Sequence, residues 1–243
     1  MKPLRWLALI PALALCSPVI AQDAWKRHSQ ELQFRGGWFL PTGDSDFWEQ
    51  NEEVFTLEAS DFDDFVFGVT LLTPVNNHVE VGFNVDFYDN QVISEYRDFT
   101  DSDGFPILHD SKLDIVPMTV DFRFLPGGRT SEHRSRGRYI QRKPALYLGG
   151  GVGVSYWDYE EIGDFIDFQL DPPEIYSDRF RDDGFALTLQ ALAGIEVPLG
   201  PRWNAIAEAR YTWSDDDLSG DFAGLGTLDL GGLAVYAGFG VRF

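Results

Sequence analysis

Residues 79–87 read Val79-Glu80-Val81-Gly82-Phe83-Asn84-Val85-Asp86-Phe87. Apolar side chains fall at every second position, with small, polar or charged ones between them. A β-strand turns successive side chains to opposite faces, so this is a strand with one apolar and one polar face. The same period recurs along the chain. Strands are expected at about 31–40, 65–72, 79–87, 113–124, 145–157, 184–197, 203–213 and 228–243. No long segment carries helical periodicity.

A soluble sandwich and a membrane-spanning barrel both produce such alternation. The barrel inverts the sandwich, with apolar side chains toward lipid and small or polar ones toward the lumen. Several of the strands reach ten residues or more, the length that crosses a bilayer at a tilt. Sandwich strands average about five or six. The minor face is rich in small residues, as in Gly149, Gly151, Gly153 and Ser155. An even strand count closes the sheet and leaves no unpaired edge in lipid. The expected fold is all-β: a transmembrane antiparallel up-and-down β-barrel of eight strands.

The connections sort by length. Those at about 41–64, 88–112, 158–183 and 214–227 are long, whereas 73–78 and 198–202 are short. Long outer loops alternating with short inner turns are the outer-membrane arrangement; the link 125–143 is the exception. Charge follows the same division. Residues 41–64 hold nine acids and no Lys or Arg, and 214–227 hold Asp215, Asp216, Asp217 and Asp221 with none either. The link carries Arg129, Arg134, Arg136, Arg138, Arg142 and Lys143 against Glu132. Aromatic residues form two expected girdles. Trp38, Phe65, Phe87, Tyr88, Trp157, Tyr159, Tyr211 and Trp213 make the outer one, and Phe122, Phe124, Trp203, Phe239 and Phe243 the inner.

Composition excludes several function classes. The 243 residues carry 39 Asp+Glu against 19 Lys+Arg, a net charge of −20. A nucleic-acid binder needs the opposite balance. A mean hydropathy of −0.18 does not suit a helical membrane protein. Aromatics at 15% do not suit a disordered acidic chain.

The amino terminus reads as a secretory signal peptide over 1–21: Lys2 and Arg5, an apolar run from Trp6 to Leu15, and an exit through Val19 and Ala21. Cleavage after Ala21 leaves 17 cations against 39 acids, a net charge of −22, in a single barrel domain over 22–243. It also discards Cys16, the sole cysteine. Leu13-Ala14-Leu15-Cys16 resembles a lipoprotein box, from which Leu15 departs.

Residues 232–243 end on Phe243 after alternating apolar positions, and Tyr236, Phe239, Val241 and Phe243 resemble the signal read by the outer-membrane barrel assembly machinery. Together with 144–155, 192–200 and 208–211, this segment is similar to the small outer-membrane barrels of the OmpA/OmpW-like superfamily. The resemblance covers essentially the whole mature chain. It implies an eight-stranded barrel in a Gram-negative-type outer membrane. Its members include passive scaffolds, conduits for small hydrophobic molecules, adhesins and lipid-modifying enzymes, and fold alone does not choose among them.

The lumen-facing charges are expected to be Arg35, Glu80, Asp86, Asp121, Arg123, Glu196, Glu208, Arg210 and Arg242. Eight strands leave an interior just filled by side chains, so these charges read as an ion-paired plug rather than a polar path. The acidic loops suit divalent cations together with lipopolysaccharide phosphates. Asp101-Ser102-Asp103-Gly104 resembles the start of a calcium loop without its closing Glu. His28, His78 and His133 fall on the inner side. Only His109, in His109-Asp110-Ser111, lies near the outer rim, where a lipid-hydrolase arrangement is conceivable. The basic link reads as a solvated loop. The resulting expectation is a monomeric outer-membrane protein without catalysis, cofactor, metal site or nucleic-acid partner, with a structural or surface-interaction role. The alternatives are a narrow conduit for small hydrophobic molecules and an outer-leaflet lipid hydrolase.

Overall fold

The computed structural model describes residues 30–133, 139–168 and 170–243, without the side chains of 131–133 and 139–141. The signal peptide, Cys16, His28 and Arg134, Arg136 and Arg138 lie outside the described residues. The strands are β1 (Glu31–Pro41), β2 (Asp64–Pro74), β3 (Val79–Thr100), β4 (Pro106–Phe124), β5 (Thr130–His133), β6 (Tyr139–Arg142), β7 (Ala145–Asp167), β8 (Glu174–Pro198), β9 (Trp203–Asp217), β10 (Thr227–Asp229) and β11 (Gly232–Arg242). Eight of them close a ring, β1-β2-β3-β4-β7-β8-β9-β11, in which every neighbour is antiparallel. The seam is β1 against β11, with Phe34 opposite Phe239. β5 and β6 form a separate hairpin in the inner link, and β10 adds to the outer end of β9.

The wall is inside out relative to a soluble protein. Phe122 is 57% exposed and Leu187 68%, while Asp121, next to Phe122 on β4, is wholly buried. In water such an outer surface would be an aggregation site; in hydrocarbon it is the stable arrangement, because closed strands satisfy every backbone group internally. This is a transmembrane eight-stranded up-and-down barrel, the small-barrel architecture expected from the OmpA/OmpW-like resemblance.

Two of the expected outer loops are not loops. β3 and β4 run 22 and 19 residues, and β7 and β8 run 23 and 25. Most of 88–112 and 158–183 is therefore strand, a four-stranded wall rising above the membrane. The reason lies in an inversion of the alternation. Below Ile115, β4 turns Val120 and Phe122 outward and Thr119, Asp121 and Arg123 inward; above it, Ile107 and Leu113 face inward and Lys112 and Asp114 outward. β7 inverts between Tyr156 and Trp157, and β3 between Phe87 and Tyr88. Outside the lower part lies lipid, and outside the upper part lies water, so the apolar face changes sides where the solvent changes.

Three expected girdle residues are consequently reassigned. Tyr88, Trp157 and Tyr159 are buried and point inward, whereas Trp38, Phe65, Phe87 and Trp213 face out. The last expected strand, 228–243, divides into β10 and β11 around Leu230-Gly231. A helix that periodicity did not reveal, α1 (Asp46–Val54), forms in the first outer connection. At nine residues it is too short to stand alone. Asp46 and Glu49 in its first turn favour the positive end of the helix dipole, and Phe47, Trp48 and Asn51 bury one face in the barrel mouth.

Candidate functional site: a lumen filled in three layers

The inner layer lies at the short-turn end of the barrel, beside the link 125–143. Glu31, Glu80 and Glu196 converge from β1, β3 and β8. Arg129, from the inner link, turns up among them, with Nη2 2.6 Å from Glu80 Oε1 and further pairs to Glu196 and, at 3.5 Å, Glu31. Arg242 Nε stands 2.7 Å from Glu31 Oε2 and its Nη2 3.1 Å from Glu196 Oε1, and Arg142 also pairs with Glu196. Asn204 Nδ2 donates to Glu31 at 2.7 Å. The expectation of a solvated basic link is thereby corrected for Arg129 and Arg142. Three carboxylates buried at one end of the barrel would repel each other, and the link supplies the cations that neutralise them.

The middle layer crosses the lumen. Glu208 on β9 receives the guanidinium groups of Arg35, Arg123 and Arg210, the last two at 2.9 and 3.0 Å. Arg210 Nη2 also stands 2.9 Å from Asp121 Oδ2, and Arg35 Nη2 3.1 Å from Asp86 Oδ1. Tyr147 OH donates to Glu208 at 2.9 Å, and Arg123 donates to Gln33 at 2.9 Å. Arg35 and Arg123 each stack 4.8 Å from the ring centre of Tyr236 and Tyr147. Gly194 leaves the space Tyr147 occupies: a Cβ there would lie 2.4 Å from the tyrosine hydroxyl.

All nine sequence-predicted lumen charges face inward and join these two layers. Sequence reasoning missed Glu31, Arg129 and Arg142, and the neutral partners Gln33, Asn84, Tyr147, Gln190 and Asn204. Glu31 sits in phase with Gln33 and Arg35 on β1, a signal that was present. Arg129 had none, because an Arg in a basic link reads as solvated until the fold closes over it. With them the two layers hold six carboxylates and six guanidinium groups, a neutral set.

The outer layer is apolar. Phe47 and Trp48 of α1 pack edge-on against Tyr159 and Phe62 at 5.2 Å, and Phe222 closes on Phe47 at 5.9 Å and Tyr159 at 5.3 Å. Trp48 Nε1 donates to Asp229 O at 3.2 Å, tying the helix to β10. Trp157 Nε1 donates to Asp216 at 2.8 Å. The upper wall thus holds a small aromatic dome.

His109 lies inside this dome. Its Nε2 is 3.0 Å from Ser94 Oγ, and its ring packs against Phe55 at 4.1 Å and Phe165 at 5.8 Å. Burial lowers its pKa to about 4. Asp110 turns to the opposite face, and Ser111 is buried. The three adjacent residues therefore do not converge, and neither His109 nor Ser111 meets solvent. Glu161 is buried beside them, accepting the Tyr159 hydroxyl at 2.7 Å, and burial raises its pKa to about 7.

Asp101 Oδ1 accepts the backbone N–H of Asp103 and Phe105 at 2.9 and 2.8 Å. Its carboxylate closes the β3–β4 turn, where Gly104 adopts a φ of +84°. Among the described residues no group of three or more His, Cys, Asp or Glu is arranged to hold a metal. His78 Nδ1 lies 2.9 Å from Leu125 O at the inner end.

The class these features define is a membrane-spanning antiparallel β-barrel. No family model matches the chain, and no curated protein does. Among solved structures it is similar to the outer membrane protein OprG from Pseudomonas aeruginosa (15% identity, 89% of this chain and 97% of that one, TM-score 0.47). It is also similar to Neisserial surface protein A (11%, 88% and 96%, 0.43) and to Ail, the attachment invasion locus protein of Yersinia pestis (14%, 89% and 97%, 0.39). At these scores the likenesses add nothing to the architecture read from the strand ring itself.

Proposed function

We propose that this is an integral outer-membrane protein that does not conduct solutes and carries no catalysis, and that acts as a structural or surface-interaction element. The observation that supports this reading is the filling of the lumen by a neutral set of six carboxylates and six guanidinium groups under an aromatic dome. An open polar path would leave some of those charges solvated; here each is paired to an opposite charge within the lumen. The chain reaches the outer membrane through its cleaved signal peptide. The barrel assembly machinery inserts it, reading Phe239, Val241 and Phe243 together with Tyr236. It stands as a monomer in outer-leaflet lipid and lipopolysaccharide, with divalent cations between lipid phosphates and the acidic outer face.

The test is single-channel recording from the refolded chain in planar bilayers. A closed lumen gives no discrete openings. Stepwise openings would overturn the reading in favour of a conduit.

A further inference from the structure

The aromatic dome does not end at the top of the barrel. From Phe55 the ring contacts pass to Tyr96 at 4.7 Å, from Tyr96 to Phe99 at 6.3 Å, and from Phe99 across to Phe168 at 5.0 Å. Phe165 likewise reaches Tyr176 at 6.2 Å. Tyr96 is buried, but Phe168 is 54% exposed, and Phe105 in the adjoining turn is 65% exposed. An apolar core thus emerges into solvent at the tips of the β3–β4 and β7–β8 hairpins.

Lipid does not account for this surface. Phe99 lies twelve residues beyond Phe87 on the same strand. That is ~40 Å of strand path, roughly 30 Å of height at a barrel tilt. Directly above the girdle the outward residues are Asp89, Gln91, Lys112, Asp114, Asp158, Glu160 and Arg181, which face water; the exposed apolar residues resume only higher up, with Ile93, Leu108 and Ile162 below the tips. Contiguous apolar surface beyond them marks a contact site.

Charge identifies the kind of partner. Residues 95–106 hold four acids and one cation, Arg97, and residues 164–178 hold five acids and no cation. Arg97 is itself engaged, its Nε donating to Glu52 O at 2.7 Å. An apolar patch ringed by carboxylates complements a segment with an apolar face and a basic one. We infer that the paired hairpin tips around Phe99 and Phe168 dock a cationic amphipathic peptide segment. This rests on the surface-interaction reading above and names its partner class.

The test uses the full chain in nanodiscs of zwitterionic lipid, with empty nanodiscs as background. The probe is a synthetic amphipathic Lys/Leu peptide, and its Glu/Leu counterpart keeps the apolar face with the charge reversed. Saturable binding of the Lys/Leu peptide above background is expected. It should weaken by at least about tenfold in Phe99→Ser/Phe168→Ser, as for loss of anchoring aromatics, and by a similar factor for the Glu/Leu peptide. Ile175→Ser/Tyr176→Ser, on β8 of the same hairpin as Phe168, should weaken it in the same direction. Heat-modifiable gel migration verifies that each variant is folded. Binding no greater than to empty nanodiscs, or equal binding to the folded Phe99/Phe168 variant, or equal binding of the Glu/Leu peptide, each overturns the inference. Conductance on the same preparations decides the closed-barrel reading separately, whatever the peptide does.

Discussion

Arg210 on β9 and Asp121 on β4 meet 2.9 Å apart, although their strands are not neighbours in the ring. The contact spans the lumen, and so does Arg123 to Glu208 between the same two strands, at 2.9 Å. Charges that reach across in this way brace opposite walls as well as fill the space between them.

Glu208 is the hub of the middle layer. Glu208→Ala leaves Arg35, Arg123 and Arg210 sharing too little negative charge. A buried pair broken from one side costs about 3–5 kcal/mol. The urea midpoint for conversion of the folded to the unfolded gel band should fall accordingly. Adding Arg35→Met restores the balance of charges and should recover part of the loss; no recovery would mean that charge count is not what matters there.

Under the closed-barrel proposal, the dome and the charge layers are each expected to close the barrel without the other. Replacing 45–62 by a Gly/Ser linker removes α1, with Phe47 and Trp48, and leaves both charge layers in place. The variant should remain silent in planar bilayers. Openings confined to this variant would show that the dome alone seals the lumen.

Two buried groups in the dome give stability opposite pH slopes. Glu161 has its pKa raised from 4.5 to about 7 by burial. Between those values the unfolded chain has released a proton that the folded one keeps. Stability therefore falls as pH rises through this window, by about 3 kcal/mol in all. His109 has its pKa lowered from 6.5 to about 4. The unfolded chain there binds a proton that the folded one refuses, so stability rises from about pH 4 to about pH 6.5. The two slopes offset each other between about pH 4.5 and 6.5. Glu161→Gln should expose the rise and His109→Gln the fall, read from Trp fluorescence during urea unfolding. Two flat profiles would refute both.

Phe243, 67% exposed, makes few contacts that hold the folded wall. Phe243→Ser should leave the urea midpoint of refolded protein nearly unchanged. Its recovery from outer-membrane fractions should drop several-fold under the proposal that the assembly machinery reads this residue. A large fall in the midpoint with normal recovery would reverse that assignment.

Much of the barrel is legible in the chain. In 79–87 and 145–155 the alternation gives strand, facing and register with little ambiguity, since one face must meet lipid. The upper wall was harder to read for a physical reason. Near Phe87-Tyr88 and Tyr156-Trp157 apolar residues stand side by side, which breaks a simple period of two and looks like the end of a strand. It marks instead the height at which lipid gives way to water and the apolar face turns inward. α1 offered no periodic signal because packing of Phe47 and Trp48, rather than helix propensity, holds it.

By itself the sequence determined the closed antiparallel wall, its apolar outer belt and nine of the charges inside. Those follow from local alternation and from the need to satisfy every backbone group in lipid. Only the tertiary structure decided that Arg129 and Arg142 return from the inner link to neutralise Glu80 and Glu196, that Trp157 and Tyr159 build a dome rather than a girdle, and that His109 is enclosed within it. Each depends on contacts between residues far apart in the chain, where burial and charge balance, not spacing, select the partner.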